Sequence, residues 1–242
     1  MKKYVFAGLV VFAAVLVVTF PARVAYQWFA PPDLQLNGIS GSVWHGSADE
    51  GMAGGAYIRQ IRWRLKAAEL VKGRLAFEAS ASPAAGSMTT DVAVGLGGSL
   101  ELSNLSGSVA LDLVHPALQQ SGMSGDLSLR FEKLVIEDGL PVVANGSVTL
   151  ANLYIPNLSA GVLGEFRAEF LTAETGVTGS VDDVAGVLDV AGVVTIAPDR
   201  TYALVGEVAA RPGAPPSIEQ QLRFLGSPNE HGLRPFRFEG RL

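Results

Sequence analysis

The sequence predicts a mainly β protein: one N-terminal transmembrane helix, then an antiparallel sheet that is curled or folded over, groove-like or jelly-roll-like, with one or two short helices. Three observations predict it. Residues 4–20 are an apolar run without a charge, set behind Lys2 and Lys3. After Pro32 apolar residues recur at every second position, which is the period of a strand. Turn-forming residues interrupt that alternation about every ten residues, the spacing of a meander, sandwich or barrel.

The apolar run is 17 residues long, about 26 Å at ~1.5 Å per helical residue, which suits a thin bilayer core. Lys2 and Lys3 hold the N-terminus in the cytoplasm and send everything after Pro21 to the far side. Tyr26 and Trp28 fall where an aromatic belt would sit. A cleaved signal peptide shares these parts, but its core is usually ~7–15 residues. A cut after Ala25 or after Ala22 also puts Arg23 or Phe20 where a small residue is wanted. The expectation is an uncleaved signal anchor: residues 1–3 a cytoplasmic stub, 4–22 the anchor, 23–35 a linker and 36–242 one β domain.

Composition excludes several functions. There is no cysteine, which removes thiolate catalysis and the usual structural zinc sites. Net charge is −5; without Lys2 and Lys3 the remaining part carries 16 basic against 23 acidic residues, or −7. A nucleic-acid partner would need a basic face, so none is expected. No second stretch is long enough to span a membrane, and 28 glycines punctuate the Val, Leu and Ala residues of the rest.

The strands read as follows. In residues 105–113, Leu105, Val109, Leu111 and Leu113 share one face, with Ser106, Ser108 and Asp112 on the other. Leu127, Leu129 and Phe131 alternate with Ser128, Arg130 and Glu132, and Val148 and Leu150 with Ser147 and Thr149. Leu188, Val190, Val194 and Ile196 form another apolar face, joined through Pro198-Asp199-Arg200 to Tyr202, Leu204 and Val208 as a hairpin. Phe236, Phe238 and Leu242 close the chain. One apolar and one wet face is the mark of an antiparallel sheet. Helical turns are expected at residues 67–72 and 116–120. A short helix is expected at 217–225, with Ser217 and Gln220 as a capping box, Gly226 as the stop, and Ile218, Leu222 and Leu225 on one face. Residues 79–87 and 211–216 read as loops. Five tetrads, beginning at Ser40, Ser106, Ser124, Asn145 and Thr178, repeat a small-Gly-polar-aliphatic pattern and read as glycine-relieved bends feeding strands.

Candidate chemistry is sparse. His45, His115 and His231 are dispersed and form no paired ligand motif. There is no Gly-x-Ser-x-Gly elbow and no glycine-rich loop ending in Lys-Ser or Lys-Thr. Asp182, Asp183 and Asp189 carry calcium-type ligands but fit a solvated turn better. Arg62 and Arg64 share a strand face with Lys66 and could meet lipid headgroups or an acidic partner. Asn145-Gly146-Ser147 matches a short glycosylation sequon. No catalytic, cofactor-binding or metal residue is assigned, and no enzyme activity or cofactor is expected.

Three stretches carry a family likeness. Leu36-Asn37-Gly38-Ile39-Ser40-Gly41-Ser42-Val43-Trp44-His45-Gly46-Ser47-Ala48 follows the anchor and its Pro21-Ala22-Arg23-Val24 exit. Ile61-Arg62-Trp63-Arg64-Leu65 leads on to Glu69-Leu70-Val71-Lys72-Gly73-Arg74-Leu75. The chain ends with Leu225-Gly226-Ser227-Pro228-Asn229 and Phe236-Arg237-Phe238-Glu239-Gly240-Arg241-Leu242. In this order they resemble the type II secretion system protein N family; the middle, residues 85–210, matches only in its glycine-rich alternation. The family's proline after Trp-Arg-Leu is replaced here by Lys66-Ala67-Ala68.

The resemblance implies a single-pass, accessory component of the cell inner membrane, with a cytoplasmic N-terminus and a periplasmic β domain, in the machine that exports folded proteins across the outer membrane. Its partners would be inner-membrane lipid and other type II secretion system components, met through protein–protein contacts. The family is also similar to AsmA-like proteins, whose periplasmic sheets curl into an apolar groove. That likeness implies an alternative role in lipid handling, with an acyl-chain lipid in the groove.

Overall fold

A computed structural model describes residues 2–30, 34–53, 56–71, 73–83, 86–95, 98–111, 122–156 and 158–241. Helix α1 (Lys2–Val18) is followed by α2 (Ala22–Phe29), then by strands β1 (Leu34–Asn37), β2 (Ser40–Gly41), β3 (His45–Ala53) and β4 (Ala56–Leu65). After the short helix α3 (Ala67–Leu70) come β5 (Ala76–Pro83), β6 (Gly86–Val94), β7 (Leu100–Ala110), β8 (Ser124–Glu137) and β9 (Leu140–Tyr154). The chain continues through β10 (Gly164–Ala173), β11 (Gly176–Gly186), β12 (Leu188–Ile196), β13 (Thr201–Ala210), α4 (Pro216–Leu222) with a 3-10 turn at Arg223–Leu225, and β14 (Arg234–Arg241).

All 14 described strands join one sheet, paired in chain order from β3 to β14. Every pairing is antiparallel. The mainly β, antiparallel expectation therefore stands. A jelly-roll of two sheets does not form; this is a single open meander. β1 and β2 lie end to end along β3, with residues 34–37 opposite 53–50 and residues 40–41 opposite 47–46. Gly38, at φ +68, sits at the break between them.

The expected transmembrane segment corresponds to α1, which is 17 residues long. Its Tyr4, Phe6, Leu9, Phe12 and Val18 are all exposed. Among the described residues no helix is long and apolar enough to cross a membrane.

Residues 79–87, read as a loop, lie instead largely in β5 and β6. Ala and Ser give little contrast between faces, so the alternation there is invisible until pairing supplies it. The helix at 217–225 forms, but one residue early: its N-cap is Pro215, with no side-chain cap bond and Pro216 at the first turn, so the Ser217–Gln220 capping box is not made. Proline at that position already has the helical φ and no N–H to satisfy. Gly226 ends the helical segment at φ +105 as expected. The turn at 67–72 forms as α3 through Leu70, while the one at 116–120 and His115 lie outside the described residues.

One face of the sheet carries the apolar residues. Leu105, Phe131, Ala144 and Val177 form its middle, backed by Met88, Leu129, Val148 and Phe170. At one end of the strands Leu111, Leu153, Leu163, Leu188 and Val208 surround Ile218 of α4, which is fully buried. α4 thus plugs that end. The exposed area is 15277 Å², against roughly 10,000 Å² for a compact monomer of 25.3 kDa. The sheet is open, with its apolar face partly accessible.

Register shifts between neighbouring strands bend it. Gln60, Asn104 and Asn152 sit at or beside them with φ of 51, 52 and 53. Two use the same device: Asn104 donates to Asp91 at 3.1 Å, and Asn152 to Asp126 at 2.8 Å, each on the neighbouring strand. Asparagine tolerates the left-handed conformation, and its amide fixes the bulge to the next strand.

Candidate interaction surfaces

The first candidate is the joint between the N-terminal helices and the sheet. The last carbonyls of a helix have no partner within it. Here the Trp44 indole N–H donates to the Val17 carbonyl at 2.7 Å, the Val43 N–H to the Phe20 carbonyl at 3.0 Å, and Pro21 forms a β-bridge with Ser42. Trp63 braces the same turn from β4: its indole N–H is shared between the carbonyls of Ser42 and Val43 at 3.2 and 3.1 Å. An apolar recess of about 200 Å³ lies among Ala22, Ala25, Tyr26, Ile39, Val43 and Trp63. The Tyr26 hydroxyl donates to the Leu34 carbonyl at 2.9 Å and accepts the Leu36 N–H at 3.0 Å. α2 is thereby stitched along the β1 edge, filling two backbone groups that the edge would otherwise leave open.

The second is the inner, apolar face, where aromatic rings lie on glycines of the neighbouring strand. Trp63 pairs with Gly46, Phe131 with Gly146, Phe170 with Gly146 and Gly179, Phe236 with Gly206, and Tyr202 with Gly240. A Cβ added at Gly46, Gly146, Gly179, Gly206 or Gly240 would stand 2.4–2.9 Å from the ring opposite. Glycine lets each ring fold flat across the strand and draws the inner face together. Gly41, Gly107, Gly146 and Gly179 of the tetrads thus lie within strands β2, β7, β9 and β11, rather than at bends that feed them.

The third is the outer face, where one unbroken row of cross-strand partners reads Ser40, Ser47, Arg62, Ser80, Thr89, Ser106, Arg130, Ser147, Glu169, Ser180, Val193, Val205 and Arg237. Ser40 bonds Ser47 at 2.9 Å and Thr89 bonds Ser106 at 3.0 Å, the cross-strand hydroxyl pairs that suit a wet face. Arg62 and Arg64 stand here as expected, with His45, Ser47 and Glu78 around a shallow cleft of about 550 Å³. Towards β12 and β13 the row becomes aliphatic, and Val193 and Val205, directly opposed, are both exposed.

Lys66 Nζ lies 2.7 Å from Asp91. Burial pushes the Asp91 carboxyl up, but hydrogen bonds from Lys66 and Asn104 and the Lys66 charge outweigh it, and its pKa is lowered. The same bond to Asp91 raises the Lys66 pKa. A lowered acid stabilises the fold above the ordinary carboxylate range, and the gain is lost as pH falls through the lowered value. A raised lysine stabilises below the ordinary lysine range, and the gain is lost as pH rises through the raised one. Asp91→Asn should therefore cost less than about 1 kcal/mol at pH 7, since Lys66 is 41% exposed. Urea unfolding should show the difference from the parent shrink progressively as pH falls below the ordinary carboxylate range.

The other sequence candidates do not converge. Asp182, Asp183 and Asp189 lie in β11 and β12 and not in a turn. Asp183, whose side chain is 4% exposed, accepts the Val190 N–H at 2.7 Å and pairs with Arg211, so both its oxygens are occupied. Among the described residues no group of three or more His, Cys, Asp or Glu could hold a metal ion. His45 is on β3 and His231 in the turn before β14. Asn145 of the sequon accepts the Thr172 N–H at 3.1 Å within the sheet.

The family model for type II secretion system (T2SS), protein N matches residues 32–237. The chain is similar to type II secretion system protein N of Vibrio cholerae serotype O1, 28% identical with both chains covered in full. It is also 26% identical to type II secretion system protein N of Aeromonas hydrophila, covering 97% of this chain and 96% of the relative. No solved structure matches.

Proposed function

Because the chain belongs to the type II secretion system protein N family, we propose that it is an accessory inner-membrane component of that system, which helps export folded proteins across the outer membrane by protein–protein contacts of its periplasmic β domain. No catalytic step is part of this reading. The observation that carries it is the helix–sheet joint. Trp44 and the Pro21–Ser42 bridge bond the end of α1 directly to the β2–β3 turn. A helix held in this way orients the whole sheet, so the joint is a mount and not a flexible leash. At 17 residues α1 is short. Local bilayer thinning accommodates such a deficit. The strand ends beside the joint then face the membrane, and the end plugged by α4 faces away from it.

The absence of cysteine makes the test direct. Ser128→Cys, on the outer face of β8, should react with a membrane-impermeant maleimide added to the periplasm, while Lys3→Cys should react only after the inner membrane is opened. The reverse pattern, or a mature protein lacking residues 1–20, would sink the proposal. A second reading, acyl chains held against the inner face, draws on the large exposed area of the open sheet. Native mass spectrometry of the protein in mild detergent would show bound lipid if that reading holds.

A further inference from the structure

The two edges of the sheet are unequal. The β1 edge is stitched to α2 through Tyr26, whereas among the described residues nothing pairs with the far side of β14. We infer that β14 receives an extended, acidic segment of a partner protein as the next antiparallel strand of the sheet. This rests on the reading of the chain as a secretion-system component and adds the surface and the chemistry of what binds.

Charge selects the partner. β14 carries Arg234, Arg237 and Arg241 against the single acid Glu239, in a chain of net charge −5. Arg237 is paired with Glu239 on its own strand, and Arg234 reaches the Gly226 carbonyl; the strand as a whole remains basic. Three arginines against one glutamate leave β14 at +2, so two copies would bring like net charge together, which disfavours self-pairing through it.

The sheet's own pattern defines the rest. On the inner face each of five aromatics has a glycine opposite it, and Phe170 has one on both sides. Phe238 departs from this: its partner on β13 is Leu204, its other side is open, and it is 56% exposed. Continuing the rule, the incoming strand places a glycine or another small residue opposite Phe238. Opposite Arg237 and Arg241, on the other face, it places Asp or Glu, with an uncharged or basic residue opposite Glu239 between them. Main-chain bonds supply affinity, and this alternation of small and acidic residues supplies choice.

The test uses the full-length protein in its own membrane, with photo-crosslinking p-benzoylphenylalanine at Phe238 or Glu239 on β14, and at Ser106 or Ser128 on the outer face as controls. The β14 positions should trap a secretion-system component about fivefold better than the controls, through a segment whose acidic and small residues alternate. Arg237→Glu with Arg241→Glu should lower that yield about fivefold without moving the thermal midpoint. A product with a second copy, a helical or basic contact segment, equal yields at the controls, or no response to charge reversal would each overturn the inference. Trapping of a secretion component only at Ser106 or Ser128 would overturn it and leave the proposed function standing. No such component trapped at any position would count against both.

Discussion

Gly146→Ala is expected to cost about 3 kcal/mol, the upper range for adding atoms to packed structure. The new methyl would stand 2.3 Å from the Arg130 carbonyl oxygen and 2.5 Å from the Phe131 Cα, both of them backbone of β8. Neither can move without breaking the pairing that Phe131 and Gly146 make. Gly179→Ala meets a different obstacle: the Phe170 ring and a Val194 methyl, at 2.9 Å, are side chains and can turn aside. About 1 kcal/mol is expected there. A second substitution separates the two cases. Phe170→Leu should recover part of the Gly179→Ala loss, while no single side-chain change should recover Gly146→Ala. Urea unfolding followed by tryptophan fluorescence measures each of them. Gly146→Ala within about 0.5 kcal/mol of the parent would refute the close approach of β8 and β9 at that point.

The legibility of the fold follows from contrast between faces. Ser128, Arg130 and Ser147 against Leu129, Phe131 and Val148 are unmistakable as alternation, and these residues do pair as the faces of β8 and β9. The hairpin at Pro198-Asp199-Arg200 was equally readable: Asp199 accepts from both the N–H and the hydroxyl of Thr201, which also hold its carboxyl below the usual range. Where side chains are small the signal vanishes, as in Ala79, Ser80, Ala81 and Ser82 of β5, whose strand character comes from neighbours on both sides. The tetrads announced glycine at unequal intervals, and their meaning lay in residues far along the chain. Gly146 is explained by Phe131 and Phe170, which only the register brings beside it. The same holds for the helix–sheet joint and for the β14 edge. That Trp44 and Trp63 belong to one motif was visible; that Trp44 is bonded to the end of α1, and Trp63 to the turn that meets it, was not, because a 27-residue contact such as Trp44 to Val17 leaves no local pattern. Nor does a sequence say which strands are edges, and so β14 could be recognised as open only once the pairing order was known.

Trp63 and Trp44 should separate when substituted, because they hold different things. Trp63 covers Gly46 and shares its N–H between the Ser42 and Val43 carbonyls. Trp63→Ala removes the ring and the bond together and should cost about 3–5 kcal/mol. Trp63→Phe keeps a ring over Gly46 but leaves the two carbonyls to water, for about 1 kcal/mol. Trp44 is half-buried, and its bond to the Val17 carbonyl ties the helix to the sheet. Trp44→Phe should therefore leave the unfolding midpoint of the sheet within about 0.5 kcal/mol of the parent. It should nevertheless speed proteolysis within residues 19–33 and lower secretion of an exported substrate, if the mount orients the domain. Secretion that follows stability alone, falling for Trp63→Ala and unchanged for Trp44→Phe, would show that the joint matters only as part of the fold. Secretion that falls for Trp44→Phe while the sheet stays intact would show that the angle between helix and sheet is itself used, since nothing else in the molecule has changed.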